Sequence, residues 1–381
     1  MKRLVLAAFA IAAAAFSLPA IAGHDYVKDR TTVCERTAQK MFQSCRFEVN
    51  EEWYATNAKC INFGDPLQRW MCKQEASTAY REDRRGCRDQ REAREEVCKL
   101  LGENRYDPEA LLDTDNFYDL DDATLDPIVY ESNPYFSLEP GHTYVARAGE
   151  VPEEGENFEE TIVVTVTDEV REILGVNCRI VVDIVLVEND DGELEAVEVT
   201  DDYYALAKNG DVHYCGEVAR NFEDGALNNL DGSFEAGRDY AKSGILIKAA
   251  PISGTGHRQE YLPGEAEDVI QYLNGDADPT SVGPGEGGET EFFPCIGQCV
   301  KTEEFIPPEP GAGEFKYFKA GTGFVLGVGL EDGEPTGERD EVLCIGDSLD
   351  VLNDDPNCGI DDAGELLDLL CELSPVAFCG D

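Results

Sequence analysis

Residues 161–167 read Thr161-Ile162-Val163-Val164-Thr165-Val166-Thr167, a run of β-branched residues that is typical of a strand. Two similar runs follow, from Cys178 to Val187 and from Leu194 to Leu206, and the Asn-Asp-Asp-Gly sequence at 189–192 between them is typical of a hairpin turn. A second turn at 209–211, Asn-Gly-Asp, precedes another short apolar run. The middle of the chain is therefore predicted to form an antiparallel β meander.

The strand pattern extends beyond this meander. Further strands are predicted at Ser233 to Tyr240, Glu314 to Phe318, Phe324 to Leu330 and Glu338 to Cys344, and a Gly- and Pro-rich stretch at 274–289 is predicted to be a surface loop. We expect residues 133–345 to form an antiparallel β-rich domain, either a curved sheet or a half-barrel. A short amphipathic helix from Asp361 to Leu373 would belong to a disulfide-tied C-terminal cap, residues 346–381.

Six N-terminal cysteines have a spacing that reads the same in both directions: 11, 15, 12, 15 and 11 residues. Such symmetry is expected of residues that face each other across an antiparallel hairpin, and its midpoint is Pro66 in a Phe-Gly-Asp-Pro turn sequence. The flanking segments have helical composition, and steps of 11 and 15 residues keep the cysteines of each arm on one helix face. Residues 23–105 are predicted to form a helical hairpin with three disulfides: Cys34–Cys98, Cys45–Cys87 and Cys60–Cys72.

Two alternatives concern this hairpin. Zinc binding is disfavoured because zinc sites use closely spaced cysteine pairs and this segment contains one histidine, His24. Trp53 and Trp70 flank the turn and are either part of an exposed recognition tip or packed against the opposite helix, the commoner fate of large aromatic side chains.

The start of the chain predicts export. Met1-Lys2-Arg3 is followed by an apolar stretch to Ala22 that ends in Ala20-Ile21-Ala22, so residues 1–22 are expected to be a cleaved signal peptide. All 14 cysteines follow it, an even number that suits an oxidising compartment. No later apolar run approaches the roughly 20 residues that span a bilayer. We expect a periplasmic or extracellular protein without a membrane span.

The net charge of −48 is unevenly distributed. Residues 23–105 carry 16 Lys and Arg against 15 Asp and Glu, whereas residues 106–381 carry 13 against 64. Such an acidic body repels nucleic acid and anionic lipid and attracts cations and basic surfaces. Residues 106–132, acidic and poor in helical signals, are predicted to be a linker between the hairpin and the β domain.

Four motifs in the β domain carry a resemblance to a family of uncharacterised secreted bacterial proteins. They are the segments 133–144 (NPYFSLEPGHTY), 175–179 (GVNCR), 258–268 (RQEYLPGEAED) and 316–325 (KYFKAGTGFV). The similarity spans roughly Asn133 to Val342 and implies a β-rich exported domain. It implies no activity and no set of catalytic residues. By analogy alone, a curved antiparallel sheet in an exported protein also resembles half-barrel cradles that hold apolar ligands or unfolded clients.

Candidate metal and redox sites are few. His213 and Cys215 are two residues apart on a predicted strand and share a face, so they are candidate metal ligands, but a disulfide between Cys215 and Cys178 is favoured in an oxidising compartment. Cys295 and Cys299 are one residue further apart than a redox CxxC pair and are expected to form a local disulfide. Two other histidines are expected in surface loops, at positions His142 and His257.

The C-terminal segment contains a partial calcium-loop pattern. Asp354, Gly359 and Glu365 match positions 1, 6 and 12 of such a loop, but Pro356 and Cys358 occupy positions 3 and 5, where oxygen ligands belong. Calcium is therefore the one cofactor that the sequence suggests. The remaining cysteines, whose pairing the sequence leaves open, are expected to tie the cap: Cys344, Cys358, Cys371 and Cys379.

Three functions remain open. Neither Gly-x-Ser-x-Gly nor His-Glu-x-x-His occurs, which favours an exported non-catalytic binding or envelope-associated protein whose ligand is an unknown protein or an apolar molecule. The alternatives are a secreted hydrolase that uses carboxylates of the acidic β domain, and a calcium-stabilised structural protein. The sequence does not indicate an oligomeric state.

Overall fold

The computed structural model describes residues 31–108, 114–150, 160–189, 192–223, 225–274, 290–295, 299–360 and 362–379. The predicted signal peptide and most of the predicted 274–289 loop lie outside these residues. The fold is α+β, as predicted: two N-terminal helices, a large antiparallel sheet that is nearly closed into a barrel, and a short helical C-terminal part.

The two N-terminal helices are α1 (Val33–Ile61) and α2 (Pro66–Leu101). Helix α1 begins with a capping box between Thr32 and Glu35. Asp65 caps the start of α2, where its carboxylate accepts from the backbone amides of Leu67 and Gln68. The hairpin contains the disulfides that the cysteine spacing predicts: Cys34–Cys98, Cys45–Cys87 and Cys60–Cys72. The C-terminal helices are α3 (Val351–Asp354), α4 (Ala363–Leu373) and α5 (Pro375–Phe378). Within the described ranges, no helix is long and apolar enough to span a bilayer.

In the described residues, fifteen strands form one antiparallel sheet. They are β1 (Thr143–Glu150), β2 (Glu160–Ile173), β3 (Val176–Glu188), β4 (Leu194–Leu206), β5 (Val212–Glu223), β6 (Ala226–Asn229), β7 (Phe234–Glu235), β8 (Lys242–Ile247), β9 (Gly256–Arg258), β10 (Glu260–Tyr261), β11 (Val269–Tyr272), β12 (Cys299–Phe305), β13 (Ala312–Lys319), β14 (Gly323–Glu331) and β15 (Glu334–Gly346). Their order in space is β10-β8-β5-β4-β3-β2-β1-β15-β14-β13-β12-β11-β9, with β6 and β7 paired to β5. The predicted strand Ser233 to Tyr240 is shorter in the structure, where β7 has two residues.

A single short segment brings the two edges of the sheet together. Strand β9 pairs with β11 at one edge, and β10, which follows after Gln259, pairs with β8 at the other edge. The backbones approach so closely here that a Cβ on Gly244 would collide with the Gln259 carbonyl. Residues 256–261 therefore nearly close the sheet into a barrel, an arrangement in which edge strands are no longer left unpaired.

One end of the barrel interior is filled by apolar side chains. The segment predicted to be a linker contributes to this filling, because Leu120, Leu125 and Val129 pack into the interior cluster. Phe117 is buried in a separate cluster, beside the Cys178–Cys215 disulfide. Residues 106–132 resemble a linker in the sequence because their composition is acidic, although they include these apolar side chains. The apolar concave face of the sheet is thus covered by the chain itself.

The helical hairpin and the C-terminal helices pack on the outside of the barrel. The C-terminal helices cover the outer face of β1–β4, where Ile184 contacts the cluster that contains Leu366 and Leu370. The hairpin packs against the connection between β10 and β11 through Arg94, which donates to both carboxylate oxygens of Glu267, with the shortest contact at 2.6 Å between Nη2 and Oε1. Both side chains are buried, so this ion pair fixes the base of the hairpin to the barrel.

Candidate functional site

The inner face of the barrel changes from apolar to acidic along individual strands. On β13, alternate residues are Phe318, Lys316 and Glu314, and on β3 Val181 is followed two residues later by Asp183. Because successive residues of a strand point to opposite faces, these side chains continue the inward face of the apolar cluster that contains Phe318 and Val181. The barrel therefore has an apolar end and a charged end.

We call the charged end the acidic lumen. It contains eight carboxyl groups and one ammonium group, which interact electrostatically with one another across the barrel. Its members are Asp183, Asp202, Glu217, Glu260, Asp268, Glu304, Glu314, Lys316 and Asp340. They come from strands β3, β4, β5, β10, β12, β13 and β15 and from the residue before β11.

Lys316 lies at the centre of the ion pairs. Its Nζ atom is 2.9 Å from Oε2 of Glu304 and 3.4 Å from Oε2 of Glu314. Burial alone would lower the pKa of Lys316, but these two carboxylates raise it well above its usual value. The side chain is still 32% exposed, so the charged end retains surface that solvent can reach. Lys316 is therefore a permanent cation beside solvent-accessible interior space.

A glycine provides the space for this ion-pair cluster. Gly327 on β14 pairs with Lys316 on one side and with Asp340 on the other. A Cβ at Gly327 would collide with the Glu314 carboxylate and would lie 3.2 Å from Cβ of Asp340. The absence of a side chain at this position allows carboxylates from two neighbouring strands to occupy the same part of the lumen.

Tyr214 connects two further carboxyl groups. Its hydroxyl contacts Oδ1 of Asp202 and lies 2.7 Å from Oε2 of Glu217. A phenol has one proton to donate, so the second carboxyl can form a hydrogen bond with the hydroxyl oxygen only if it carries a proton itself. Burial raises the pKa of Asp202 to about 7 and also raises that of Glu217, which the neighbouring Asp202 raises further. This pair therefore holds a proton near neutral pH.

The other lumen carboxyls follow the same trend. Burial raises the pKa of Glu314 to about 7 and that of Asp268 to about 6. The pKa of Asp183 is also raised, by burial first and by Asp202 second, and its buried Oδ1 atom has no hydrogen-bond partner in the described part of the protein. These shifts favour protonated carboxyls in the lumen, where eight carboxyl groups lie around the single ammonium group of Lys316. Such a site favours protons or a cationic ligand.

All described cysteines are in disulfides. Outside the hairpin the pairs are Cys178–Cys215, Cys295–Cys299, Cys344–Cys358 and Cys371–Cys379. Cys215 is therefore not a thiolate ligand for a metal. Its predicted partner in a metal site, His213, packs edge-on against Phe117 with 5.0 Å between ring centroids, and burial lowers its pKa to about 4.

One of the two histidines expected in loops is placed differently by the structure. His257 is buried in β9, where its ring stacks on Tyr272 with 5.6 Å between centroids, so the surface-loop prediction was wrong for this residue. The Gly-rich sequence around it indicated a loop, but that segment is the strand that joins the two sheet edges. His142 lies in the turn before β1, and burial lowers its pKa.

The partial calcium pattern lies in helical structure. Asp354 ends α3, Pro356–Cys358 form a 3-10 helix, and Glu365 is in the first turn of α4. Cys358 is bonded to Cys344 and holds this segment to β15. Among the residues that the structure describes, no group of three or more His, Cys, Asp or Glu side chains is arranged to hold a metal ion.

The residues of the acidic lumen were not singled out by the sequence. An acidic residue on the inward-facing positions of a strand, as in Val181-x-Asp183, is a detectable signal. It is a weak one here, because residues 106–381 contain 64 Asp and Glu and most such positions are on the surface. Only the pairing of distant strands shows which carboxylates meet.

No protein-family model and no curated protein matches the chain. Two solved structures share partial similarity: a candidate exported protein with a YmcC-like fold from Bacteroides fragilis (TM-score 0.27, 12% identity) and a candidate lipoprotein from Parabacteroides distasonis (TM-score 0.24, 10% identity). Each match covers 56% of this chain and 98% of the other chain. Similarity at this level does not assign a function.

Proposed function

We propose that this chain is an exported, non-catalytic binding protein that holds a small organic cation, such as an amine, in the acidic lumen. The observation that carries the proposal is the charge imbalance in the lumen, where eight carboxyl groups face one ammonium group. Buried carboxylates are costly unless they are neutralised, and either bound protons or a bound cation can neutralise them.

The surroundings of the lumen suit an organic cation. The rings of Tyr144, Tyr204 and Tyr214 lie among these carboxyl groups, and aromatic faces attract ammonium groups. The buried Oδ1 atom of Asp183 has no hydrogen-bond partner in the described structure, so it can accept a hydrogen bond from an ammonium group of the ligand. The apolar end of the barrel is filled by the chain's own side chains, so the geometry favours a cation over an apolar ligand.

Export is supported by the disulfides. Seven disulfides join the 14 cysteines, and disulfides of this number persist in oxidising compartments. A binding protein in the periplasm or outside the cell would encounter free amines and metal cations directly. The strongly acidic β domain would raise the local concentration of such cations.

Isothermal titration calorimetry tests the proposal. We expect putrescine, a four-carbon diamine, to bind the mature protein at pH 7.5, and 1,4-butanediol, which has the same length and no charge, not to bind. Binding of putrescine should weaken at pH 5, because carboxyls with a pKa of about 7 then carry protons. Asp340→Asn in the lumen should lower the affinity at least about tenfold, the effect of losing one good charge contact.

A matched control is available on the same sheet. Asp201 precedes Asp202 on β4, faces the other side of the strand and pairs with Arg220 at 2.9 Å. Asp201→Asn should leave putrescine binding unchanged. Failure of both putrescine and spermidine to bind at millimolar concentration would contradict the proposal. A rise in unfolding temperature with calcium and not with diamines would instead support the calcium-stabilised protein.

One observation favours a second candidate function, a hydrolase. Asp202 and Glu217 share the Tyr214 hydroxyl, and a pKa of about 7 for Asp202 suits a general acid at neutral pH. A hydrolase would cleave chromogenic ester or glycoside substrates, and Asp202→Asn would abolish that cleavage. Under the binding proposal, neither the purified protein nor Asp202→Asn has such activity.

A further inference from the structure

The tip of the helical hairpin exposes an unusual number of large apolar side chains. Six of them lie within 18 residues of chain around the turn, and each is at least 42% exposed. They are Tyr54, Ile61, Phe63, Leu67, Trp70 and Met71, and we call this set the hairpin tip. Concentrations of exposed apolar surface of this kind mark binding surfaces in soluble proteins.

The hairpin tip lies far from the barrel. The contacts that fix the hairpin come from the opposite ends of its helices, through Met41 on α1 and through Gln90 and Arg94 on α2. Residues 66–89 of α2 account for about 36 Å of helix beyond these contacts. The Cys60–Cys72 disulfide joins the helices next to the turn, and Arg69 donates to the Phe63 carbonyl, so the tip is braced rather than loose.

The apolar side chains surround the tip instead of lining one face. Cys60 and Cys72 face each other across the hairpin. Because successive residues of a helix are rotated by about 100° about its axis, the direction of each neighbouring side chain follows from the position of the disulfide. Ile61, one residue after Cys60, and Met71, one residue before Cys72, lie on opposite broad sides of the hairpin. Leu67 and Trp70 point away from α1. A groove on a protein partner would cover one side, whereas a lipid bilayer contacts an inserted tip on all sides.

The charge of the tip is complementary to an anionic surface. Residues 54–71 contain Lys59 and Arg69 against one acidic residue, Asp65, which is engaged in capping α2; Lys73 and Glu75 follow just beyond. The acidic β domain would repel the same surface, but it lies several Debye lengths away, because that length is about 8 Å at physiological ionic strength. Aromatic rings with neighbouring Lys and Arg are the residues that bind the interface of anionic membranes.

We infer that the hairpin tip inserts into the interface of an anionic lipid bilayer and holds the acidic barrel away from that surface. This inference is independent of the ligand proposed for the lumen. The net charge of residues 106–381 disfavours anionic lipid as a partner of the β domain. The hairpin, whose charges are nearly balanced, is not subject to that repulsion.

Tryptophan fluorescence provides a direct test, since the chain contains two tryptophans. Trp53 is packed against Tyr80, with 5.5 Å between ring centroids, and Trp53→Phe leaves Trp70 as the single reporter at the tip. With vesicles of phosphatidylcholine and phosphatidylglycerol at 3:1, we expect the Trp70 emission to shift to shorter wavelength. Vesicles of phosphatidylcholine alone should bind at least about tenfold more weakly, because the cations of the tip then lose their partners.

Two matched variants distinguish vesicle binding by the tip from vesicle binding by any exposed apolar side chain. Leu67 is 63% exposed at the tip and Leu227 is 55% exposed on β6. Leu67→Ser should lower the affinity for the 3:1 vesicles about tenfold, and Leu227→Ser should leave it unchanged. Circular dichroism of each variant verifies that the fold is retained, as expected for exposed positions.

Three results would overturn the inference. The first is an unchanged Trp70 emission with the 3:1 vesicles. The second is an equal loss of affinity in Leu67→Ser and Leu227→Ser. The third is concentration-dependent self-association, seen by sedimentation velocity, that Leu67→Ser abolishes while vesicle binding is absent, since the tip would then be a contact between copies of the chain.

Discussion

Replacing Asp202 by Asn should make the protein more stable at high pH and leave it unchanged at low pH. Asp202 is 7% exposed, and its pKa is raised from 3.8 to about 7 by burial. The folded state therefore keeps a proton on this group over a pH range in which the unfolded chain has lost it. Stability from this group is fully present below about pH 4 and is lost as the pH rises to about 7.

The magnitude follows from the pKa difference. A change from 3.8 to about 7 corresponds to about 4 kcal/mol in the free energy of unfolding, as an upper bound because Glu217 shares the proton. Asn has the same shape, does not ionise and still offers Oδ1 to the Tyr214 hydroxyl. The stability of Asp202→Asn relative to the natural protein should thus increase from near zero at pH 4 to several kcal/mol at pH 8.

Urea unfolding followed by circular dichroism, with the disulfides intact, measures this difference at pH 4, 6 and 8. Asp201→Asn on the outer face is the control, because it removes a partly exposed ion pair with Arg220 and should change stability by about 1 kcal/mol or less at every pH. An Asp202→Asn effect that is the same at pH 4 and pH 8 would refute the assignment of a protonated carboxyl to this position.

Two further predictions concern ion pairs. Lys316→Met should lower the free energy of unfolding by about 1–3 kcal/mol at pH 7.5, less than for a fully buried pair because Lys316 is 32% exposed. The loss should be smaller at pH 5, where Glu314 is protonated. An equal loss in urea unfolding at both pH values would contradict this. Arg94→Leu should cost about 3–5 kcal/mol because it leaves Glu267 buried without a partner, and Arg94→Leu with Glu267→Leu should recover most of that loss. A double variant as unstable in urea as Arg94→Leu alone would show that the ion pair is not what holds the hairpin to the barrel.

The hairpin is the part of the fold that the sequence specifies most fully. The cysteine spacing, the helical composition and the turn at Pro66 are local patterns, and each has a geometric consequence that does not depend on the rest of the chain. The strands β2 to β5 are predictable for the same reason, because alternation and turn residues act over a few positions. The α+β class and the helical C-terminal part follow from these local signals.

The closing segment of the barrel lacks such signals. Residues 256–261 contain a glycine, a histidine and several charged or polar residues, which indicate a loop in isolation. They form the short strands β9 and β10 because two sheet edges, β11 and β8, offer hydrogen bonds to them. His257 lies in this segment and is buried there.

The composition of the acidic lumen could not be predicted from local sequence patterns. The sequence by itself determined that a strand places Glu314, Lys316 and Phe318 on one face, and that residues 106–381 are strongly acidic. Only the tertiary structure decided that this face meets Asp183, Asp202 and Asp340 across the barrel. Alternation along a strand is fixed by backbone geometry over a few residues, whereas strand order and register are set by the packing of segments far apart in the chain.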